Sequence, residues 1–195
     1  MNANINEADK NHYVFFYLAN EQHGEFCQWF PSTFYVHEIQ IASLLGHNTS
    51  IINPKAIITF NCAEQFMMYC KAGRFRDTDT QRQILVTPDP KKQKALGKGT
   101  KGFYDAYWDE VKSEVVVAGN MAKFAQNSGL RGKLMETGNR LLVEAASKDR
   151  VWGIGYTEKH ALHFRSKWGE NRLGKALVEV RENLRQGLET HEAMG

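Results

Sequence analysis

Hydrophobic positions near the start of the chain recur in short runs rich in aromatic and β-branched residues. Runs of this kind, bounded by polar or turn residues, are typical of β-strands. They predict strands at 13–17, 34–37 and 56–60, and a fourth strand later in the chain at 140–145. Between the second and third strands, residues 39–54 combine an apolar clump with a polar, glycine-containing stretch, which indicates a surface insertion of irregular structure.

After residue 61 the spacing of apolar positions changes to that of a helix. Ala63, Phe66, Met67 and Cys70 follow the i, i+3, i+4 spacing, and Asn61 is the candidate N-cap. Further helices are predicted at 78–86, 90–96, 104–126, 130–136 and 173–188. The expected buried side of the 104–126 helix includes Val115, Ala118, Met121, Ala122 and Ala125. The predicted fold class is therefore α+β, mainly helical, with a small β component.

Length and composition limit the number of domains. The 195 residues are 42% hydrophobic and 24% charged, and no linker-like stretch interrupts the pattern. We therefore expect a disordered tail at 1–11 and a single domain over 12–190. No apolar run approaches the roughly 18 residues of a membrane span, and the polar N-terminus does not resemble a secretory signal. We expect no membrane contact and a cytoplasmic location, with the nucleus as the alternative.

Cysteine and histidine spacing gives no sign of a disulfide framework or a metal site. Cys27, Cys62 and Cys70 contain no C-x-x-C pair, and His160 and His163 have no partnering motif. We therefore expect reduced, mostly buried thiols, no metal and no cofactor.

Metal independence leads to a first prediction: activity should survive chelation. The measurement is turnover with and without EDTA. A loss of activity that a divalent ion restores would contradict it.

One stretch of the chain is rich in lysine. The formal net charge of +3 is too small to indicate a nucleic-acid-binding protein, although it allows an anionic ligand. A lysine run is usually a solvated face and only secondarily attracts phosphate; here it consists of Lys91, Lys92, Lys94, Lys98 and Lys101. Residues 97–102 fit G-x-G-x-x-G, but they follow a predicted helix rather than a strand, so they do not indicate a dinucleotide-binding loop.

One acidic residue could perform chemistry. Glu64 lies in the first turn of the predicted helix among apolar neighbours. One interpretation is a charge that only stabilises the helix end. The other is a general base, or a group that stabilises a cationic sugar in a pocket.

Aromatic residues supply the candidate binding surfaces. Trp152 precedes Gly153 in a glycine-containing turn, where either a ligand approaches the backbone or the indole packs in the core. The helical spacing of Trp108 favours core packing. Phe26 and Trp29 lie in an aromatic loop, and loop aromatics often stack on flat ligands.

Taken together, seven ordered blocks resemble the NADAR, or YbiA-like, family from about residue 15 to residue 184. The blocks occupy residues 26–31, 63–72, 108–109, 119–124, 142–145, 149–155 and 168–177. The resemblance implies a YbiA-like fold and hydrolysis of N-glycosidic bonds. The implied substrates are early riboflavin-pathway intermediates or ADP-ribose attached to guanine bases.

The resemblance also implies roles for individual residues. Glu64, from the A-E-Q-F block, and Asp149, from the D-R-x-W-G-I-G block, are the implied catalytic residues. The implied substrate-binding residues are Trp108, Trp152, Phe26, Trp29, Gly153, Asn171 and Arg172. A phosphate could be met by Arg150, Arg172 or Lys175. Cys27 stands where the family usually has serine, which puts a hydroxyl hydrogen bond there in doubt.

Two other interpretations remain open beside the hydrolase. One is a non-catalytic nucleotide or ADP-ribose binding module, and the other is a structural or interaction protein whose aromatics only pack the core. Of these three functions, only hydrolysis requires the carboxylate of Glu64. The expected partner is a phosphorylated ribosyl-base or an ADP-ribosylated guanine, free or in nucleic acid, and the sequence does not predict the oligomeric state.

Overall fold

The computed structural model describes residues 11–193, with side chains through residue 187. The tail predicted at 1–11 lies outside the described residues except for Asn11. Within residues 11–193, no helix combines the length and apolar composition that crossing a membrane requires.

Helices dominate the described part of the chain. The strands are β1 (Tyr13–Phe16), β2 (Phe34–His37), β3 (Ile57–Phe60) and β4 (Leu141–Glu144). The helices are α1 (Glu38–Leu44), α2 (Ala63–Arg74), α3 (Thr78–Val86), α4 (Pro90–Lys98), α5 (Asp105–Asp109), α6 (Lys112–Gln126), α7 (Ser128–Glu136), α8 (Glu158–Ala161) and α9 (Arg172–Ala193), with 3-10 turns at Gly24–Phe26 and Leu162–Lys167. The predicted mainly helical α+β class is confirmed.

The chain forms two compact units. The central unit comprises residues 31–127, and the described residues of the terminal unit are 11–30 and 128–193. In the central unit β2 and β3 pair antiparallel, with Phe34 opposite Phe60. In the terminal unit β1 and β4 pair parallel, with Tyr13 opposite Leu141. The single domain expected over 12–190 stays a prediction.

Helix α2 is the core of the central unit and packs against α3, α4 and α6. Its Phe66 ring lies 5.1 Å from the Phe60 ring, centroid to centroid. A Cβ at Gly119 of α6 would lie 2.5 Å from the Phe66 ring, so only glycine permits this approach of the two helices. The helix that carries Glu64 is therefore held from several sides.

Four local predictions are corrected by the structure. The stretch 39–54, predicted to be irregular, begins inside helix α1. This helix forms because His37 and Gln40 make a capping box at its start and Ile41 is buried. The N-cap of α2 is Cys62 rather than Asn61. The helix predicted over 104–126 is divided into α5 and α6, since Val111 has a non-helical backbone (φ −120°, ψ −14°). The buried side of α6 is also different, as described below.

In the terminal unit, α9 packs closely on β4. A Cβ at Gly174 would overlap the carbonyl oxygen of Leu142, so glycine is required at this contact. Arg181 of the same helix is buried and donates to Thr137 Oγ1 and the Arg140 carbonyl, both at 2.8 Å. These contacts attach α9 to both ends of the connection between α7 and β4, residues 137–140.

Candidate active site

Glu64 is the second residue of α2 and only 4% exposed. A carboxylate at a helix N-terminus gains from the helix dipole, but burying it costs more than the dipole alone returns. A charge that served only the helix end would be more stable at the surface. The burial of Glu64 therefore favours a role in chemistry over a role in helix stability alone.

Gln65 anchors the start of this helix. Its Oε1 accepts from the Asn61 N–H (2.8 Å), and its Nε2 donates to the carbonyls of Ile84 (3.0 Å) and Leu85 (3.2 Å) at the end of α3. The side chain is buried, so these bonds are shielded from water. The backbone that carries Glu64 is thereby attached to α3.

Gln93 of α4 attaches the same point to a second helix. It is buried; its Oε1 accepts from Cys62 Sγ (3.3 Å) and its Nε2 donates to Asn61 Oδ1 (3.1 Å) and the Thr87 carbonyl (2.7 Å). Two glutamine side chains from different elements thus meet at residues 61–62. Such rigid support is what a catalytic group requires.

Cys62 is a thiol beside Glu64, but its electrostatics disfavour a nucleophilic role at neutral pH. Burial raises the pKa of Cys62 to about 11, and the negative charge of Glu64 adds to this increase. The thiolate, which is the reactive form, is therefore scarce near pH 7. The three cysteines are all buried and form no disulfide, as predicted.

Thiol reagents should accordingly leave the native protein unchanged. We expect Ellman's reagent to react with fewer than one thiol per folded chain and with three after denaturation, since the sequence has three cysteines. Fast stoichiometric labelling of native protein with loss of activity would contradict this.

Asn120 and Lys123 of α6 are functional candidates that the sequence reasoning missed. Both are 0% exposed, and Lys123 lowers the pKa of Cys62 where Glu64 raises it. Both charges therefore act at the start of α2. A buried lysine and a buried asparagine are expensive unless their polar groups are used, which makes them candidates for supporting Glu64.

These two polar residues also explain why the buried side of α6 was predicted only in part, with Val115 buried as expected. The apolar pattern placed Ala118, Met121, Ala122 and Ala125 inside, yet none of them is fully buried. Asn120 and Lys123 instead share the interior with the residues Val115, Val116, Gly119 and Phe124. The spacing of apolar residues does not identify a buried helix face when that face contains a lysine. The 119–124 block in the family resemblance was the available signal.

Trp108 of α5 is buried in the central unit. As placed, the indole packs in the interior, which agrees with the spacing argument for core packing. Its implied role as a stacking surface stays a prediction.

In the terminal unit, Asp149 shapes the turn that presents Trp152. One oxygen, Oδ1, accepts from the N–H groups of Val151 (2.9 Å) and Trp152 (2.8 Å). This is an Asx-type turn, in which the carboxylate replaces a backbone acceptor. The indole of Trp152 is half-buried. The geometry therefore gives Asp149 a positioning role, and its implied catalytic role stays a prediction.

Two of the family blocks form one structure in this unit. The N–H groups of Gly169, Asn171 and Leu173 donate to the carbonyls of Ile154, Gly153 and Trp152, at 2.9, 3.3 and 3.1 Å. A Cβ at Gly153 would lie 2.8 Å from the Glu144 carbonyl oxygen. Packing against the protein backbone therefore already requires glycine at position 153, independently of any contact with a ligand.

Asn171 and Arg172, both implied to bind substrate, already have partners. Asn171 adopts a left-handed backbone (φ 51°), and its side chain accepts from the Glu144 N–H (3.0 Å) and donates to the Leu142 carbonyl (2.9 Å). It therefore extends the edge of β4. Arg172 Nε lies 2.7 Å from Glu170 Oε2 in a partly exposed pair, which leaves its charge accessible to solvent.

The two aromatics of the 26–31 loop differ in exposure. Phe26 is fully buried, with its ring 5.9 Å from that of Phe16, so it supports the loop from inside. Trp29 is half-buried, and its backbone N–H donates to Cys27 Sγ at 3.4 Å. The thiol therefore accepts a hydrogen bond, although it is a weaker acceptor than a hydroxyl oxygen.

A separate groove of about 460 Å³ lies in the central unit between β2, α1 and the outer side of α6. Its lining includes Tyr35, Ile41, Leu44, Phe66 and Met121 but not Glu64. Volume alone would make this groove a candidate. It lacks a charged group, so the buried carboxylate is the better guide to the chemistry.

The chain is similar to known proteins over most of its length. The sequence model of the NADAR domain family matches residues 15–185 of this chain. An N-glycosidase of Acanthamoeba polyphaga mimivirus is 37% identical over 92% of this chain and 99% of its own length. N-glycosidase YbiA of Escherichia coli is 32% identical over 60% of this chain and 67% of its own.

The fold is shared as well. The NMR structure of Escherichia coli YbiA superposes with a TM-score of 0.66 at 24% identity, over 93% of this chain and 89% of that one. The enzyme class predicted from the sequence, a hydrolase of N-glycosyl bonds, is confirmed by the names of these relatives. With matched residues that span nearly the whole chain, the protein belongs to the NADAR family.

Proposed function

We propose that this protein hydrolyses the C1′–N bond between a ribosyl group and a base, with Glu64 as the catalytic carboxylate. The observation that carries the proposal is the burial of Glu64 at a helix start that Gln65 and Gln93 hold in place. The relatives named N-glycosidases support the reaction type.

The reaction explains why a buried carboxylate is useful. Departure of the base leaves positive charge on C1′ and the ring oxygen, and a nearby anion stabilises that charge most strongly where water is excluded. Glu64 would also take a proton from the attacking water. The C1′–N bond breaks with its electron pair left on the base nitrogen, a C1′–O bond forms with the water oxygen, and the proton that Glu64 takes from the water ends on that nitrogen.

An aromatic and a basic residue of the terminal unit are proposed to bind the substrate. Trp152 is proposed to stack on the flat base, a contact worth about 1–3 kcal/mol. Arg172 is proposed to meet a phosphate, because its pair with Glu170 is partly exposed and can be exchanged for a charge-assisted bond to the ligand.

Trp152→Ala should weaken substrate binding by about 5- to 150-fold, the equivalent of 1–3 kcal/mol of stacking. Titration calorimetry on folded protein measures it. Lys148→Ala, an exposed change one residue before the Asp149 turn, is the matched control and should bind normally. Equal affinities for the two variants would remove Trp152 from the site.

The substrate is either a riboflavin-pathway ribosylaminouracil phosphate or an ADP-ribosylated guanine. Purified protein is incubated with each, and released ribose 5-phosphate or ADP-ribose is measured by mass spectrometry. We expect release from at least one. Binding of either compound without release would instead identify a non-catalytic binding module.

A further inference from the structure

The β2–β3 hairpin of the central unit has two outer edges that differ. In its register Tyr35 lies opposite Thr59, and His37 lies opposite Ile57. A side chain that follows β2 closes the edge of that strand: Gln126 Oε1 accepts from the Tyr35 N–H at 2.9 Å, and Gln126 Nε2 donates to the Tyr35 carbonyl at 2.8 Å. The backbone groups of Tyr35, which point away from β3, are therefore already paired.

The orientation of Tyr35 determines which backbone groups of β3 point outward. In a strand the N–H and C=O of one residue point to the same edge, and those of the next residue point to the other edge. Because Tyr35 points away from β3, its partner Thr59 points away from β2, and so does Ile57. Among the described residues, no hydrogen bond outside the ladder of this hairpin involves the backbone of Ile57 or Thr59. The outer edge of β3 thus offers two N–H and two C=O groups for pairing.

Exposed apolar side chains accompany this edge. Ile57 is 51% exposed and Tyr35 is 46% exposed, and both project from the same face of the hairpin. Pro54 and Lys55, residue types that often protect an open edge, lie before β3 rather than in it, and Ile57–Phe60 contains no charge. An open, uncharged edge with apolar neighbours is a surface suited to strand pairing.

The edge of β3 is complementary to a second copy of itself. If two β3 strands lie antiparallel about a two-fold axis at Ile58, Ile57 of each copy is opposite Thr59 of the other. Both residues have outward N–H and C=O groups, so each of the two symmetry-related pairs exchanges two hydrogen bonds. All the outward groups of Ile57 and Thr59 are then satisfied.

Other antiparallel registers satisfy fewer of these groups. A shift by one residue places outward groups opposite inward ones, and a shift by two residues leaves a single matched pair. A strand from a foreign protein would bring a further open edge of its own. A second copy has no such edge, because the other side of its β3 is already paired with its own β2.

We propose that two copies of this chain associate through β3, in a four-stranded antiparallel sheet with the order β2–β3–β3–β2. On one face Ile57 contacts Thr59 of the second copy, and on the other face the two Ile58 side chains meet at the axis. The association goes beyond the proposed reaction and does not depend on it. It would nevertheless brace the strand that leads through residues 61–62 into the helix of Glu64.

Sedimentation equilibrium of the full chain between about 1 and 200 µM measures this association. The wild-type mass should rise from that of one chain to that of two. Ile57→Lys should raise the dimer Kd at least about tenfold, because it places two lysines diagonally across the axis. Leu141→Lys, at an exposed position in β4 of the terminal unit, is the matched control and should change Kd less than about twofold. Wild type that stays monomeric, or equal effects of the two variants, would overturn the proposal.

A disulfide tests the register. At the axis the two Ile58 residues form a non-hydrogen-bonded pair with Cα atoms about 4.5 Å apart, which a disulfide can span. Ile58→Cys should therefore form a covalent dimer under mild oxidation. Thr59→Cys should link far less, although position 59 is the more exposed, because it faces Ile57 of the second copy.

Wild type gives the background of this experiment, since its three cysteines are buried. Equal linking by the two variants, or no linking by Ile58→Cys, would contradict the proposed register. Turnover of a small substrate by Ile57→Lys is measured in parallel. Turnover by a protein that fails to dimerise would sustain the proposed function, and dimerisation without turnover would sustain only the association.

Discussion

Replacing Glu64 by Gln is expected to lower kcat by about 10²–10⁴-fold while substrate affinity changes little. The substitution keeps the size of the side chain but removes the negative charge and the basic oxygen. Both are needed only when charge develops at C1′, so the loss falls on turnover. Steady-state kinetics and calorimetric binding, on protein with an unchanged melting temperature, measure the two effects separately.

Glu114→Gln is the matched control for this experiment. Glu114 also lies in the first turn of a helix, but it is exposed. Removing a helix-end charge there should cost under about 1 kcal/mol of stability and leave turnover unchanged. If Glu64→Gln behaves like Glu114→Gln, Glu64 is only a helix-end charge and the catalytic assignment fails.

Gln65→Leu should lower the free energy of unfolding by about 3–5 kcal/mol, the largest stability effect that we expect near the site. The change leaves the Leu85 carbonyl and the Asn61 N–H without their bonds to this side chain, while the Ile84 carbonyl keeps its bond from the Thr87 N–H. Each unsatisfied buried group costs about 1–3 kcal/mol. Urea unfolding of both proteins gives the difference.

Gln81→Leu provides the comparison for Gln65. Gln81 is half-buried, and its amide makes one bond, to the Tyr69 carbonyl at 3.3 Å. We expect a loss of about 1 kcal/mol. Gln65→Leu protein that is no less stable than Gln81→Leu would show that the buried glutamine network does not support the start of α2.

The bounds of helices and strands were predicted correctly where the spacing of apolar residues and the positions of turn or capping residues indicated the same bounds. β2 and α3 have the predicted bounds, because aromatic residues and Asp77, the N-cap of α3, mark them locally. The turn at α1 was missed because its cap is a histidine, which is an unusual capping residue. The buried side of α6 was predicted correctly at Val115 but not at the positions that follow, because that side also contains Lys123.

Contacts that hold the candidate site could not be predicted from local patterns. Gln65 and Gln93 look like ordinary surface residues in the sequence, and they meet only because α3 and α4 return to the start of α2. Asn171 gave no sign that its side chain would pair with β4, since that requires a left-handed backbone. Glu64 could be singled out in advance because both its position and the family resemblance pointed to it.

The most direct test of the central claim is a mass balance on one reaction of the wild-type protein with the substrate that it accepts. We expect free base and free sugar, as ribose 5-phosphate or ADP-ribose, to appear in equal amounts and at equal rates, and the substrate lost to equal either product. Release of AMP or inorganic phosphate with the base still attached to its ribose would show that another bond is broken. Full recovery of intact, bound substrate would show that no bond is broken, and either result would contradict the account.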